Sequence, residues 1–162
     1  MDVSQIILST LISEFSDLTD VEQATRVSLR LLLAALLGGL LGFERESHGK
    51  AAGVRTHMLV CSGAALFVLG SELVGGGDDA MSRVVQGIVA GIGFLGAGTI
   101  IKGEQMQDVK GLTTAAGVWM TAAVGVCVGL GLEATAVLAT LIMLFILNVL
   151  PHILDQHERP QD

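Results

Sequence analysis

The densest run of chemically able side chains is E-R-E-S-H-G-K-A-A-G-V-R-T-H, from Glu44 to His57. Glu44, Arg45 and Glu46 open it, Arg55, Thr56 and His57 close it, and the connection is short enough to keep both groups at one face. The expected pair is Glu44 with Arg55, a charge-assisted bond where desolvation is partial. Asp108, Lys110 and Thr113-Thr114 reach the same face from a later loop and could complete the set. One reading is a helix-end salt bridge with basic anchoring; the other is a cytoplasmic-face binding site or switch. A second cluster, Asp78 and Asp79 beside Arg83, offers hard oxygen ligands of the kind Mg²⁺ takes. Two carboxylates after the Gly75–Gly77 run also describe a solvated turn, which is the preferred reading. His152 and His157 stand in a loose tail and make a weak metal pair. Cys61 and Cys127 lie in apolar runs without a C-x-x-C spacing, as buried, inert thiols do. No cofactor is expected, Mg²⁺ being the one ion the carboxylates could hold.

Catalysis has no motif to stand on. H-E-x-x-H, G-x-S-x-G and G-x-x-x-x-G-K-[ST] are all missing from the sequence, so an enzyme is not expected. Gly91-Ile-Gly93-Phe-Leu-Gly96 does satisfy G-x-G-x-x-G. The dinucleotide fingerprint, however, needs a preceding strand, a following amphipathic helix and a distant acidic residue. Here the glycines sit inside an apolar run that continues to Ile101. Close helix packing is the expected role, with Gly87, Gly91, Gly93, Gly96 and Gly98 thinning the helix to bare backbone. Ala34, Gly38 and Gly42 form a second seam of the same kind, and Trp119 is expected to pack as well.

The elements that must position these residues are membrane helices. Hydrophobic residues make up 51% of the 162 and charged ones 15%, against about 25% charged in an ordinary soluble domain. The charge is gathered between long uncharged runs. The expected fold is an all-α, polytopic helical bundle of about five spans: Arg26–Phe43, Met58–Val74, Arg83–Ile101, Leu112–Leu132 and Ala134–Leu150, with Pro151 ending the last. Arg26 and Arg30 are expected to snorkel at the start of the first span. Ahead of it, Ile7, Leu11, Phe15 and Leu18 give residues 3–18 an apolar stripe, read as a helix lying in the interface. Thr19-Asp-Val-Glu22 resembles a capping box. The chain divides into an N-terminal interfacial segment (1–22), a transmembrane domain (23–151) and a short polar tail (152–162). Met1-Asp2 is not followed by a basic n-region, so a removable signal peptide is not expected.

The net charge of −7 leaves no basic face for nucleic acid. Arg45, Lys50, Arg55, Lys102, Lys110 and Arg159 fall on one side of the five spans, and Arg26, Arg30 and Arg83 on the other. That bias places the N-terminus outside and the C-terminus in the cytoplasm. No Asp, Glu, Lys or Arg stands near mid-depth, which weighs against a conventional cation carrier. Small-residue faces on five short spans lead us to expect a homo-oligomer.

Four ordered blocks resemble the MgtC/SapB family of bacterial inner-membrane proteins: Gly38-Gly-Leu-Leu-Gly42-Phe-Glu44-Arg45-Glu46, Ala52-Gly53-Val-Arg55-Thr56-His57, Gly91-Ile-Gly93-Phe-Leu-Gly96-Ala-Gly98, and Lys110-Gly-Leu-Thr-Thr-Ala-Ala116 with Trp119. The resemblance covers about residues 31–132. It implies a polytopic helical membrane protein linked to growth or survival at low Mg²⁺. Some members resemble virulence factors acting on the F-type ATP synthase, and others carry a magnesium-transport label. The resemblance also marks Asp79, Arg83, Thr113 and Thr114. Many members have a soluble C-terminal domain resembling an ACT fold; a chain ending at Asp162 is expected to be a short form without it. Two functions are carried forward: helix-mediated contact with membrane partners such as the ATP synthase, and a permease for Mg²⁺ or another small solute.

Overall fold

The computed structural model describes residues 2–16, 18, 20–102 and 109–157. Its helices are α1 (Val3–Glu14), α2 (Val21–Ser47), α3 (Val54–Leu73), α4 (Asp78–Gly98), α5 (Leu112–Gly129) and α6 (Glu133–His157). Between α4 and α5 a two-residue antiparallel ribbon pairs β1 (Ile101–Lys102) with β2 (Val109–Lys110). Helices α2 to α6 are the five long and apolar enough to cross a membrane, so the chain is a multi-pass helical membrane protein. Helix α1 exists as the apolar stripe suggested and buries none of its residues against the bundle.

Boundaries differ from the sequence reading in ways that matter for the site. The N-cap of α2 is Asp20, whose carboxylate accepts from the Glu22 backbone N–H at 3.1 Å; Thr19 of the expected capping box lies outside the described residues. Helix α2 then runs on through Glu44, Arg45 and Glu46, so these are helical side chains in its last turns, not loop residues. Helix α6 continues through Pro151 to His157. A proline removes one intrahelical donor, a loss that membrane helices tolerate, and it does not stop this one.

The centre of the bundle is α5, which packs against α2, α3, α4 and α6. Its glycines make this possible. A Cβ on Gly125 would collide with the Cys61 carbonyl, and one on Gly129 would stand 2.7 Å from Val68 Cβ. On the α2–α3 contact a Cβ at Gly38 would lie 2.6 Å from the His57 carbonyl, and one at Gly42 2.5 Å from Val54 Cα. Backbone therefore rests on backbone, as dispersion-driven packing in lipid requires. Leu37, Leu41, Cys61, Val124, Val128 and Met143 fill the core between these contacts. The buried hydroxyls of Thr121 and Thr140 are satisfied within their own helices, donating to the carbonyls of Gly117 and Ala136.

The glycine-richest span is the outlier. Helix α4 buries only Ile92 and Gly96. Gly96 sits beside Ala115, but a Cβ at Gly87, Gly91, Gly93 or Gly98 would meet nothing within 4 Å. The packing expected at those four positions is not used inside the chain. Small residues permit close approach without dictating which neighbour makes it, and here α5 and α3 already satisfy each other. Trp119 is likewise no packing core, being 48% exposed beside α4.

Candidate functional site

Alternation of the spans brings polar side chains together at two ends of the bundle. At one end, α2 finishes and α3 and α5 begin. Glu44 and Arg45, both buried, form a bidentate ion pair with each other. The expected Glu44–Arg55 pair does not form: Arg55 points away and is exposed, and the nearer guanidinium has taken both carboxylate oxygens. His48 adds its Nδ1 at 3.2 Å from Glu44. Glu46 is exposed and does something different. Its Oε2 accepts the Val54 N–H at 2.9 Å, placing a carboxylate on the N-terminus of α3, where the helix dipole favours it. Gly53 leaves the room, since a Cβ there would strike that carboxylate.

His57 lies one turn into α3 with none of its surface exposed. Its Nδ1 is 3.0 Å from the Gly53 carbonyl. A carbonyl can only accept, so the proton is on Nδ1, and in the neutral ring Nε2 is left with a lone pair. That nitrogen is buried with no hydrogen-bond partner among the described residues and faces Gly117 of α5. Thr114, one turn before Gly117, is also buried, whereas Thr56 and Thr113 are exposed. The structure thus gathers Glu44, Arg45 and His57, with Thr114 on the facing helix, and leaves Arg55, Thr56 and Thr113 on the surface. Asp108 lies outside the described residues.

The other end holds a cluster the sequence reading did not assemble. Arg30 does not snorkel; it is 8% exposed. Its Nη1 donates to Glu72 at 2.8 Å and to the Gly129 carbonyl at 3.0 Å, and its Nε lies 3.6 Å from Glu133. One guanidinium therefore ties α2 to the C-termini of α3 and α5 and the start of α6. A cation at the end of α5 also meets the negative pole of that helix. Gly131 makes the arrangement possible. At φ +76° it ends α5 in a left-handed turn, with Leu132 N–H on the Cys127 carbonyl at 2.9 Å. A Cβ on it would strike the Arg30 guanidinium. The signal was present in span parity: Arg30 starts one span, Glu72 ends the next and Glu133 starts the last, so all three share a side. Arg26 behaves as an ordinary surface residue, paired with Glu22 at 2.7 Å.

Arg30 and Glu44 are fourteen residues apart on α2, a rise of about 21 Å. That is less than the roughly 30 Å of a bilayer's hydrocarbon. Asp79 and Arg83 occupy the first turns of α4, where acidic residues suit the dipole. Both are exposed and they make no ion pair with each other. Among the described residues no group of three or more His, Cys, Asp or Glu side chains is placed to hold a metal ion.

A buried Glu-Arg pair closing α2, a carboxylate capping α3 across a glycine, and a buried histidine one turn into α3 give structural roles to Glu44, Arg45, Glu46, Gly53 and His57. The model of the MgtC family matches residues 31–156, more than three quarters of the chain. The chain belongs to the MgtC family. It is 52% identical over 111 residues to the protein MgtC of Brucella abortus, covering 68% of this chain and 45% of the relative. It is 43% identical over 134 residues to SrpB of Synechococcus elongatus, covering 75% and 73%. YhiD of Escherichia coli K12 is 39% identical over 130 residues, covering 75% and 59%. The chain thus spans less than half the length of the Brucella MgtC protein. No solved structure matches it.

Proposed function

We propose that this MgtC-family chain is a non-enzymatic membrane protein that acts by helix contact, under magnesium limitation or stress, with membrane partners such as the F-type ATP synthase and with copies of itself. The observation that carries this reading is the outward face of α4. Gln86, Ala90, Gly93 and Ala97, spaced four, three and four apart, are all exposed. Among the described residues the Gln86 amide reaches only Ser82, at 3.4 Å. A carboxamide facing lipid gains from a partner across a helix interface, and the small residues below it allow that helix to come close. In our orientation the N-terminus is outside and the C-terminus cytoplasmic. Arg30 and Arg45 are consumed in buried pairs, and the remaining basic residues still favour the cytoplasmic side.

YhiD is named as a candidate magnesium transporter, which supports the second reading, a permease. Against it, α2 carries no Asp, Glu, Lys or Arg between Arg30 and Glu44, α3 none between His57 and Glu72, and α4 none after Arg83. Co-reconstitution with F-type ATP synthase in proteoliposomes separates the two. Contact predicts slowed ATP-driven acidification, restored by Gly93→Leu, and no Mg²⁺ flux above empty liposomes. Saturable Mg²⁺ flux lost in Glu44→Gln or Asp79→Asn, with no effect on acidification, would reverse the assignment.

A further inference from the structure

A recess of about 590 Å³ runs between α3 and α4, lined wholly by apolar side chains and glycine. It lies on a different face of α4 from Gly93. Its floor is opened by Gly63, Gly87 and Gly91, where a Cβ would meet nothing within 4 Å, and Leu59, Phe67 and Leu95 stand along it. Four residues before Gly87, on the same face, is Arg83; four before that is Asp79. Arg83 is exposed and has no hydrogen-bond or ion-pair partner among the described residues. The face therefore reads, from the helix start inward, carboxylate, guanidinium, then glycine-lined recess, in steps of about 6 Å.

We propose that this recess holds an acyl chain of a glycerophospholipid with a primary ammonium headgroup. The phosphate sits on Arg83 and the ammonium on Asp79, in the leaflet at the α3–α4 turn. The order of groups on α4 is the order of groups along such a lipid: amine outermost, phosphate next, hydrocarbon deepest. Charge complementarity then selects among headgroups. A glycerol headgroup leaves Asp79 without a cation, and a choline headgroup offers it no N–H to bond. A second copy of the chain is the poorer occupant. A helix with its side chains is about 10–12 Å across, whereas this recess has the volume of a small-ligand site.

The test is native mass spectrometry of the full chain purified from bilayers of phosphatidylethanolamine, phosphatidylglycerol and phosphatidylcholine in equal parts with matched chains. One phosphatidylethanolamine per protein should be retained above the other two. Arg83→Gln should lower retention of all three about fivefold, the weight of one interfacial basic residue. Asp79→Asn should abolish the preference while leaving retention. Gly91→Leu should remove the adduct with unchanged thermal unfolding, the site being open; Gly87→Leu serves if that variant fails to fold. Equal retention of the three lipids, or an adduct indifferent to Gly91→Leu and Gly87→Leu, overturns the proposal. So does a dimer that Gly91→Leu splits, which would assign the recess to a second copy.

Discussion

At the scale of single residues, the molecule places its strongest electrostatics where water is scarce and pairs opposite charges within a few ångströms. Arg30 touches a carboxylate, a helix-terminal carbonyl and a second carboxylate through one planar group. A lysine ammonium also has three donors, but they are gathered on one atom and lack the planar spread of the guanidinium that reaches these three positions. Arg30→Met should therefore cost about 1–3 kcal/mol, the weight of charge-assisted hydrogen bonds left unmade, the two carboxylates being 47% and 40% exposed, and Arg30→Lys should recover only part of it. Thermal unfolding in detergent, followed by exposure of the buried Cys61 thiol, checks both. The Glu44–Arg45 pair should behave differently in combination. Each single change, Glu44→Gln or Arg45→Met, strands the other charge, so the double variant should lose less than the sum of the two. Additive losses in that cycle would mean the two side chains do not act as a pair. The sequence showed every one of these charges but paired Glu44 with the wrong arginine. Residues 45 and 55 are both within reach of a short connection, and only the direction of the last turns of α2 chooses between them.

Among elements, the decisive property of a glycine is what faces it. Gly125 and Gly98 look alike in an apolar run, yet one faces the Cys61 carbonyl and the other open space. Gly125→Ala should destabilise by at least the roughly 1–3 kcal/mol of overpacking, because the obstructing atom is backbone and cannot rotate away. Gly98→Ala should be neutral or stabilising by up to about 1 kcal/mol, the entropy of a helical glycine being removed. Equal unfolding temperatures for the two variants would show that α5 is not the tightly packed centre. The same contrast explains why α4, with the most glycines, is peripheral and keeps open faces.

For the whole molecule, the arrangement is a bundle about 21–27 Å thick between its polar ends, judged from the Arg30–Glu44 rise and the 18 residues of α5. The proposed orientation makes a direct prediction. In cells, a cysteine placed at Gly77 should react with an impermeant thiol reagent from outside, and one at Lys50 only after the membrane is opened. The native Cys61 and Cys127 should be replaced first, Cys127 being only partly buried. The reverse pattern would invert the topology and move the Glu44–His57 cluster to the outer face.

The sequence by itself determined the class of solvent, the number of spans and the family. Runs of apolar residues long enough to cross hydrocarbon, and four short blocks in order, are one-dimensional properties that no packing can change. It also showed which residues carry charge, and hence that the spans are empty of charge near mid-depth. Only the tertiary structure decided which charges meet, because helix rotation about the axis is set by neighbours and not by hydropathy. That rotation sends Arg30 inward onto the end of α5, turns Arg55 outward, buries His57 with its Nε2 unpaired among the described residues and leaves Gly87, Gly91 and Gly93 on open faces. Small residues and charges in a membrane chain name the possible contacts; the order in which five helices fill one another's grooves selects among them.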